Sequence, residues 1–379
     1  MTANNCDRSM MSLALRLAAK GIYTTTPNPM VGCVIAQGGE IVGRGWHMKA
    51  GLAHAEVVAL AEAGERAVGA TAYVTLEPCA HRGKTGPCVD ALLQAGVHRV
   101  VAASEDPNPK VAGAGIAALR AAGVVVDVGL LEQQARDLNC GFFKRHEYGV
   151  PWVTIKTAAS LDGRTAMASG QSQWITAPAA RRDVQRMRAE NCAIITGIGT
   201  QKMDDPSLTL RISYVDLGLS VDEVDSALRQ PLRVVVDSQC QMSSSARLLQ
   251  QDGATLIATT DGALQRQRAA ALESAGAEVI FLPARDQRVD LQSLLQHLAE
   301  RGCNRVMVEA GAGLAGAFVG EGLLDEVVCY WAPKLFGSNA RPMFDLPIET
   351  IDAHLALSVV DMRRVGEDIR LTLQPEKDY

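Results

Sequence analysis

Apolar and polar positions along the front half of the chain alternate in short blocks separated by Gly and Pro. A strand over Val31–Ala36 follows the loop Thr26-Pro27-Asn28-Pro29, and Gly38-Gly39 turns the chain into a second strand, Ile41–Arg44. Before them, Met10–Ala19 has the spacing of an amphipathic helix. A helix over about Ala53–Ala63 stops at Gly64, and a strand follows at Ala70–Leu76. The pattern then predicts helix Cys88–Ala95, strand Arg99–Ala103, the turn Asp106-Pro107-Asn108-Pro109, helix Ile116–Ala122 and strand Val124–Val128. The segment Gly141–Pro151 is polar and carries Gly and Pro, which predicts a boundary between two domains, residues 1–148 and 149–379.

Behind the boundary the alternation restarts. Strand Trp152–Thr157, helix Pro178–Ala189 and strand Ala193–Thr196 come first. Ser213–Gln230 has weak periodicity and reads as an inserted loop with one helical turn. Strands follow at Arg233–Val236, Thr255–Ala258 and Glu278–Phe281, then helix Leu291–Ala299 and strand Arg305–Val308. A Gly-rich turn and helix lead to strand Glu326–Tyr330, and Leu355–Asp361 with Asp368–Leu373 form a closing pair of strands. Strands alternating with helices are the mark of an α/β chain.

Composition sharpens this picture. A chain of 379 residues with 47% hydrophobic content is long enough for two cores. The front 150 residues hold 14 Lys/Arg against 13 Asp/Glu, and the remainder 23 against 29. Neither half is the basic body of a nucleic-acid binder. Met10–Ala19 is interrupted by Arg16, so it is not the apolar stretch of a signal peptide, and no run is long enough to span a bilayer. Nine scattered cysteines without a secretion signal point to a reducing, cytoplasmic setting, where clustered Cys means metal or catalysis.

The strongest chemical signal is His54-Ala55-Glu56 followed by Pro78-Cys79 and Cys88. One His and two Cys are three ligands suited to zinc, with a fourth position left for water in a catalytic site. Glu56 is not needed as a ligand and fits a proton shuttle. The pattern follows the signature of zinc base deaminases, although eight residues rather than two separate Cys79 from Cys88. The intervening loop carries His81, Arg82 and Lys84, which suit a phosphorylated substrate. On residues alone two other readings stay open. One is an RNA- or DNA-editing deaminase with an accessory domain. The other is a structural zinc module in which His81 closes the metal as a fourth ligand. In the rear half, strand Val306–Glu309 precedes Gly311-Ala312-Gly313-Leu314-Ala315-Gly316, whose glycines would let backbone amides approach a phosphate, or would serve tight strand–helix packing.

The loop Thr75-Leu76-Glu77-Pro78-Cys79-Ala80-His81-Arg82-Gly83-Lys84-Thr85-Gly86-Pro87-Cys88 closely resembles that of the bifunctional deaminase/reductases of riboflavin synthesis. The resemblance extends to Pro27-Asn28-Pro29-Met30-Val31-Gly32, Gly45-Trp46-His47 and Asp106-Pro107-Asn108-Pro109. Behind the boundary it takes in Lys156–Arg164, Ser172-Gln173-Trp174-Ile175-Thr176, Arg188-Ala189-Glu190, Gly197-Ile198-Gly199-Thr200 and Asp204–Arg211. It implies a cytidine-deaminase-like three-layer α/β/α domain followed by a dihydrofolate-reductase-like α/β domain. It implies Zn2+ in front, NADPH behind, a small phosphoribosyl pyrimidine as substrate, no nucleic acid or membrane partner, and a homo-oligomer. The reactions implied are deamination of 2,5-diamino-6-(5-phosphoribosylamino)pyrimidin-4(3H)-one at C2, then reduction of the ribosyl to a ribityl chain.

Carried over by position, the resemblance makes Glu56 catalytic and His54, Cys79 and Cys88 the metal ligands. Asn28, His47, His81, Lys84, Asp106 and Asn108 would contact the deaminase substrate. Ala158, Trp174, Thr200, Asp204, Ser238 and the turn Gly311, Ala312, Gly313, Leu314, Ala315 and Gly316 would touch NADPH. Lys156, Ser172, Arg188, Leu208, Arg211 and Glu309 would bind the reductase substrate, with Arg188 and Arg211 suited to its phosphate. The chain departs from the family pattern in three places. In Glu190-Asn191-Cys192-Ala193 the position just before the strand is not acidic, Gln239–Ser245 is unusually polar, and Ser213–Gln230 is long.

Overall fold

The computed structural model describes residues 3–80, 86–109, 111–219 and 228–376. The chain divides into two compact units that meet in sequence at Gly149/Val150.

The front unit runs α1 (Ala3–Ala19), β1 (Gly32–Gln37), β2 (Glu40–Trp46), α2 (Ala55–Ala63), β3 (Thr71–Val74), α3 (Cys88–Gln94), β4 (Arg99–Ala102), α4 (Ala114–Ala121), β5 (Val125–Val128), α5 (Glu132–Leu138) and α6 (Cys140–Tyr148). Its sheet has the order β2-β1-β3-β4-β5. β1 is antiparallel to both β2 and β3, whereas β3, β4 and β5 are parallel. Side chains alternate across a strand, so β1 sends Cys33 and Ile35 to a core shared with α2, α3 and α4. It sends Val34 and Ala36 to a second core with α1 and Ala135 of α5. Both faces are covered, which makes three layers.

The rear unit opens with β6 (Trp152–Ser160), β7 (Arg164–Ala166), α7 (Pro178–Glu190), β8 (Ala193–Gly197) and α8 (Ile198–Asp204). It continues through β9 (Leu232–Val236), β10 (Thr255–Thr260), α9 (Ala263–Ser274), β11 (Glu278–Leu282), β12 (Ala284–Arg285), β13 (Arg288–Val289) and α10 (Leu291–Glu300). It ends with β14 (Arg305–Val308), α11 (Ala312–Gly320), β15 (Glu326–Ala332), β16 (Arg341–Pro342), β17 (Leu357–Val365) and β18 (Asp368–Pro375). Nine strands form one sheet in the order β11-β10-β9-β8-β14-β6-β15-β18-β17. The strands from β11 to β15 are parallel, and β18 and β17 add an antiparallel pair at one edge. Ile155, Ile195, Val234 and Val308 pack on one face with Leu294, Leu298 and Phe318. Ile194 and Met307 face α7 on the other, while Val235 and Ile257 face α9.

One expectation changes. Gly141–Pro151 is not a polar connector, because α6 occupies most of it and buries Phe142 and Phe143. Its charged residues 144–147 lie on the remaining surface of that helix, which is why the segment reads as polar. Gly149, at φ 71°, ends α6 in the left-handed region that favours glycine. As expected of a loop with a helical turn, the described residues of the insertion Ser213–Gln230 include a short 3-10 turn, Val215–Leu217; residues 220–227 lie outside the described residues.

Candidate active sites

In the front unit the candidate ligands arrive from three places. His54 is the N-cap of α2, Glu56 lies in that helix's first turn, and Cys88 is the first residue of α3. Cys79 lies in the loop after β3. His54 Nδ1 is 3.2 Å from Cys88 Sγ and 3.5 Å from Cys79 Sγ, and the Cys88 amide donates to Cys79 Sγ at 3.4 Å. One ligand atom from each residue lies within 4.8 Å of the others, and this is the one such group found among the described residues.

The electrostatics fit a cation. The Cys88 thiol and His54 hydrogen-bond to Cys79 and hold it as a thiolate, at about 4, while Cys88 is pushed up by that thiolate and by burial. His54 is raised, chiefly by the Cys79 thiolate. The cluster therefore already carries one negative sulfur and a second sulfur whose proton a dication would displace. Two thiolates and one imidazole suit zinc, and three protein ligands leave a position for water. Glu56 is 3% exposed, and burial raises its carboxyl.

Around this cluster the structure gathers part of the expected substrate wall. Asn28 Nδ2 lies 3.1 Å from His47 Nε2, and His47 Nδ1 lies 3.1 Å from the Ala53 carbonyl. That carbonyl can only accept, so Nδ1 carries the proton and Nε2 accepts from Asn28. Burial lowers His47, consistent with a neutral ring. Its ring stands edge-on to His54 at 5.2 Å. Asp106 and Asn108 form a tight turn in which the Asn108 amide donates to Asp106 Oδ1 at 2.8 Å. His81 and Lys84 lie outside the described residues.

Two front-unit residues escaped the sequence reading. Asn139 is 3% exposed and clamps the backbone of Met30, accepting from its amide and donating to its carbonyl, both at 2.8 Å. It thereby fixes the loop that carries Asn28. Glu77 is 4% exposed and binds four backbone amides of the 106–116 segment. A carboxylate between Leu76 and Pro78, at the end of an apolar strand, was the signal that could have revealed it.

In the rear unit the candidates cluster where the parallel strands end. Arg188 meets Glu309 through two parallel hydrogen bonds, Nε to Oε1 at 2.7 Å and Nη2 to Oε2 at 3.0 Å. Its remaining nitrogen donates to the Thr209 carbonyl at 3.0 Å, beside Leu208. Lys156 Nζ completes the group at 3.2 Å from Glu309 Oε2. Burial alone would raise Glu309, but Arg188 and Lys156 overcome it and hold the carboxyl at about 2. Arg188, read in the sequence as a phosphate donor, thus has its charge balanced inside the protein, whereas Arg211 is exposed.

Nearby, Ser172 Oγ donates to Asp204 at 3.3 Å, and the Gly311 amide donates to Thr200 Oγ1 at 3.0 Å. Gly311 and Gly313 have open space where a Cβ would stand, apart from Thr200 Oγ1 at 3.7 Å from the former. A ligand can therefore approach that backbone at the start of α11. Gly316 serves packing instead, since a Cβ there would run into the Asp345 backbone. Trp174 is 64% exposed, with the Arg181 guanidinium 4.5 Å from its ring centre. Lys334 donates to the Trp174 and Ile175 carbonyls at 3.1 and 2.6 Å, a clamp that the sequence did not suggest. Ala158 lies in β6, two residues beyond Lys156. Ser238 follows β9, where its hydroxyl accepts from the Val289 amide at 3.0 Å. The polar stretch after it wraps around Asp237, which accepts from the Gln241 and Met242 amides.

Comparison with known proteins agrees with this division of labour. Residues 4–104 match the family described as the cytidine and deoxycytidylate deaminase zinc-binding region, and residues 151–371 match the RibD C-terminal domain. The riboflavin biosynthesis protein RibD of Escherichia coli is 48% identical over 97% of this chain and 99% of its own length. That of Haemophilus influenzae is 47% identical over 98% of each chain. The solved structure of Acinetobacter baumannii RibD superposes with a TM-score of 0.88 at 43% identity, covering 99% of this chain and 100% of that one. A deaminase/reductase of Thermotoga maritima superposes with a TM-score of 0.83 at 29% identity, covering 98% and 99%. The two units are thus a cytidine-deaminase-like domain and a dihydrofolate-reductase-like domain, and this full-length likeness removes the editing-deaminase reading. The chain belongs to the RibD family of riboflavin biosynthesis proteins, enzymes that join a zinc-dependent deaminase and a reductase on one polypeptide.

Proposed function

We propose that the front unit deaminates 2,5-diamino-6-(5-phosphoribosylamino)pyrimidin-4(3H)-one at C2 and that the rear unit reduces the product's ribosyl to a ribityl chain with NADPH. The observation that carries the reading is the His54–Cys79–Cys88 cluster with the buried Glu56 beside it. Zinc held there would act as a Lewis acid that makes water a nucleophile at neutral pH. Glu56 accepts a proton from the attacking water and passes protons to the ring nitrogen and the departing amine, which leaves as ammonia. Its raised carboxyl keeps it able to hold a proton between these transfers. Asn28, fixed by His47, presents its remaining amide oxygen to the pyrimidine. Asp106 and Asn108, with His81 and Lys84, hold the ribose-phosphate side.

Behind, NADPH would supply the hydride that reduces C1′ of the opened sugar. The start of α11, Thr200, Asp204, Trp174, Ala158 and Ser238 form its site. Support comes from the open backbone at Gly311 and Gly313 and the exposed Trp174 ring. Lys156, held by Glu309, polarises the sugar, and Arg188 holds Glu309 in place. Ser172 and Leu208 border the sugar, and Arg211 takes the phosphate. Positioning and charge suffice, with no covalent nucleophile. The nine cysteines, none of them paired in a disulfide, support a reducing, cytoplasmic setting.

The test uses zinc-loaded protein and the diaminopyrimidinone generated in situ. Ammonia release should need no NADPH, and NADPH oxidation should follow deamination. Zinc-loaded protein that releases no ammonia would contradict the front assignment. Ammonia release without any later NADPH oxidation would contradict the rear one.

A further inference from the structure

α4 begins without a side chain of its own to cap it. Its N-cap is Gly113, at φ 75°, and its first turn contains no acidic residue. The first amides of a helix need acceptors from elsewhere. Glu77 supplies them from the loop that leads to the metal ligand Cys79. Its Oε1 accepts from Gly115 at 2.8 Å and Ile116 at 3.2 Å, and its Oε2 accepts from Gly113 at 2.9 Å and Asp106 at 3.2 Å. A buried carboxylate with four amide donors at a helix start is well solvated by the protein and well matched to the helix dipole.

The contact also sets a distance. A Cβ at Gly115 would run into the Pro78 carbonyl, so the start of α4 lies directly against the residue between Glu77 and Cys79. The Glu77 amide in turn donates to the Ser104 carbonyl at 2.9 Å, which ties down the other end of the Asp106 loop. One residue thus joins the segment bearing the metal ligand to the turn bearing Asp106 and Asn108, its backbone amide holding Ser104 and its side chain holding the Asp106 amide and the start of α4.

We propose that Glu77 is a positioning residue that fixes the Asp106–Asn108 turn at its working distance from the metal ligands, and so controls how the deaminase holds the ribose-phosphate side of its substrate. This rests on the assignment of Asp106 and Asn108 to substrate. Gln at position 77 keeps size but turns an amino group toward amides that need an acceptor. Asp keeps the charge but falls one methylene short.

The experiment uses the full-length, zinc-loaded enzyme and its own reductase as internal control. Glu77→Gln should raise the deaminase KM roughly tenfold to a hundredfold. Its kcat should stay within about threefold, and bound zinc and reduction of the deaminated intermediate should not change. Glu77→Asp should fall between Gln and wild type. Combining Glu77→Gln with Asp106→Ala should raise KM no further than the worse single change, because both act through one turn. Additive effects would overturn the proposal. So would loss of zinc in both Glu77 variants, or a fall in kcat at unchanged KM, since either makes Glu77 a scaffold of the metal loop. Wild-type enzyme that binds zinc but does not deaminate the pyrimidine would instead sink the underlying assignment, whatever Glu77 does.

Discussion

Glu56 and Glu309 are both buried carboxylates, and their surroundings drive them in opposite directions. Glu56 sits in the first turn of α2, where burial outweighs the attraction of His54, and its carboxyl is raised. Glu309 follows β14 and lies between Arg188 and Lys156, and its carboxyl is held at about 2. A group that must take up and release protons gains from a value closer to neutral pH. A group that must anchor two cations gains from permanent charge. On the proposed reading, the front unit uses a buried carboxyl for chemistry and the rear unit uses one for order.

Glu56→Gln should have the largest effect. Deamination should fall roughly 10²- to 10⁴-fold while zinc stays bound. Ammonia release together with metal analysis checks both halves of this outcome. Glu309→Gln should cost the rear unit about 3–5 kcal/mol, because it strands Arg188 and Lys156 with unbalanced charge. Denaturant melts should show that loss, along with a weakened reductase and intact deamination.

The pH dependence separates the two carboxyls by sign. Glu309 is depressed, so its stabilising contribution is full above the unfolded carboxyl value of about 4.3 and disappears as pH falls through about 2. The stability gap between wild type and Glu309→Gln should therefore close between about pH 4.3 and 2. Glu56 is raised, so in metal-free protein its contribution is full below about 4.3 and is lost as pH rises through its folded value. Metal-free Glu56→Gln should gain on wild type over that rise, as read by melts at each pH. The smallest effect belongs to Lys334→Met, which removes the clamp on the Trp174 backbone. It should raise the KM for NADPH roughly fivefold, equivalent to about 1 kcal/mol, with deamination unchanged in a steady-state assay.

The metal site was legible because its chemistry lies in side-chain identity. His54, Glu56, Cys79 and Cys88 declare themselves by type and by their places at loop ends and helix starts. The strand alternation was equally plain, since residues such as Val34 and Ile35 serve opposite faces of a covered sheet. What stayed hidden depends on backbone partners far away in sequence. Asn139 acts on Met30, Glu77 on the start of α4, and Lys334 on Trp174; a backbone amide or carbonyl leaves no residue type to match. The glycine turn was readable only in part, because Gly316 is explained by Asp345 and not by a ligand. At α6, the charges of residues 144–147 masked the pair Phe142-Phe143, which was the better signal of a packed helix.

On the proposed reading the two units carry out separate chemistry in a fixed order. The most direct test gives Glu56→Gln the diaminopyrimidinone and, separately, the deaminated intermediate, and follows NADPH oxidation. No oxidation is expected with the first and wild-type oxidation with the second. Oxidation of NADPH with the undeaminated pyrimidine, or none with the intermediate while the rear unit remains folded, would contradict that reading.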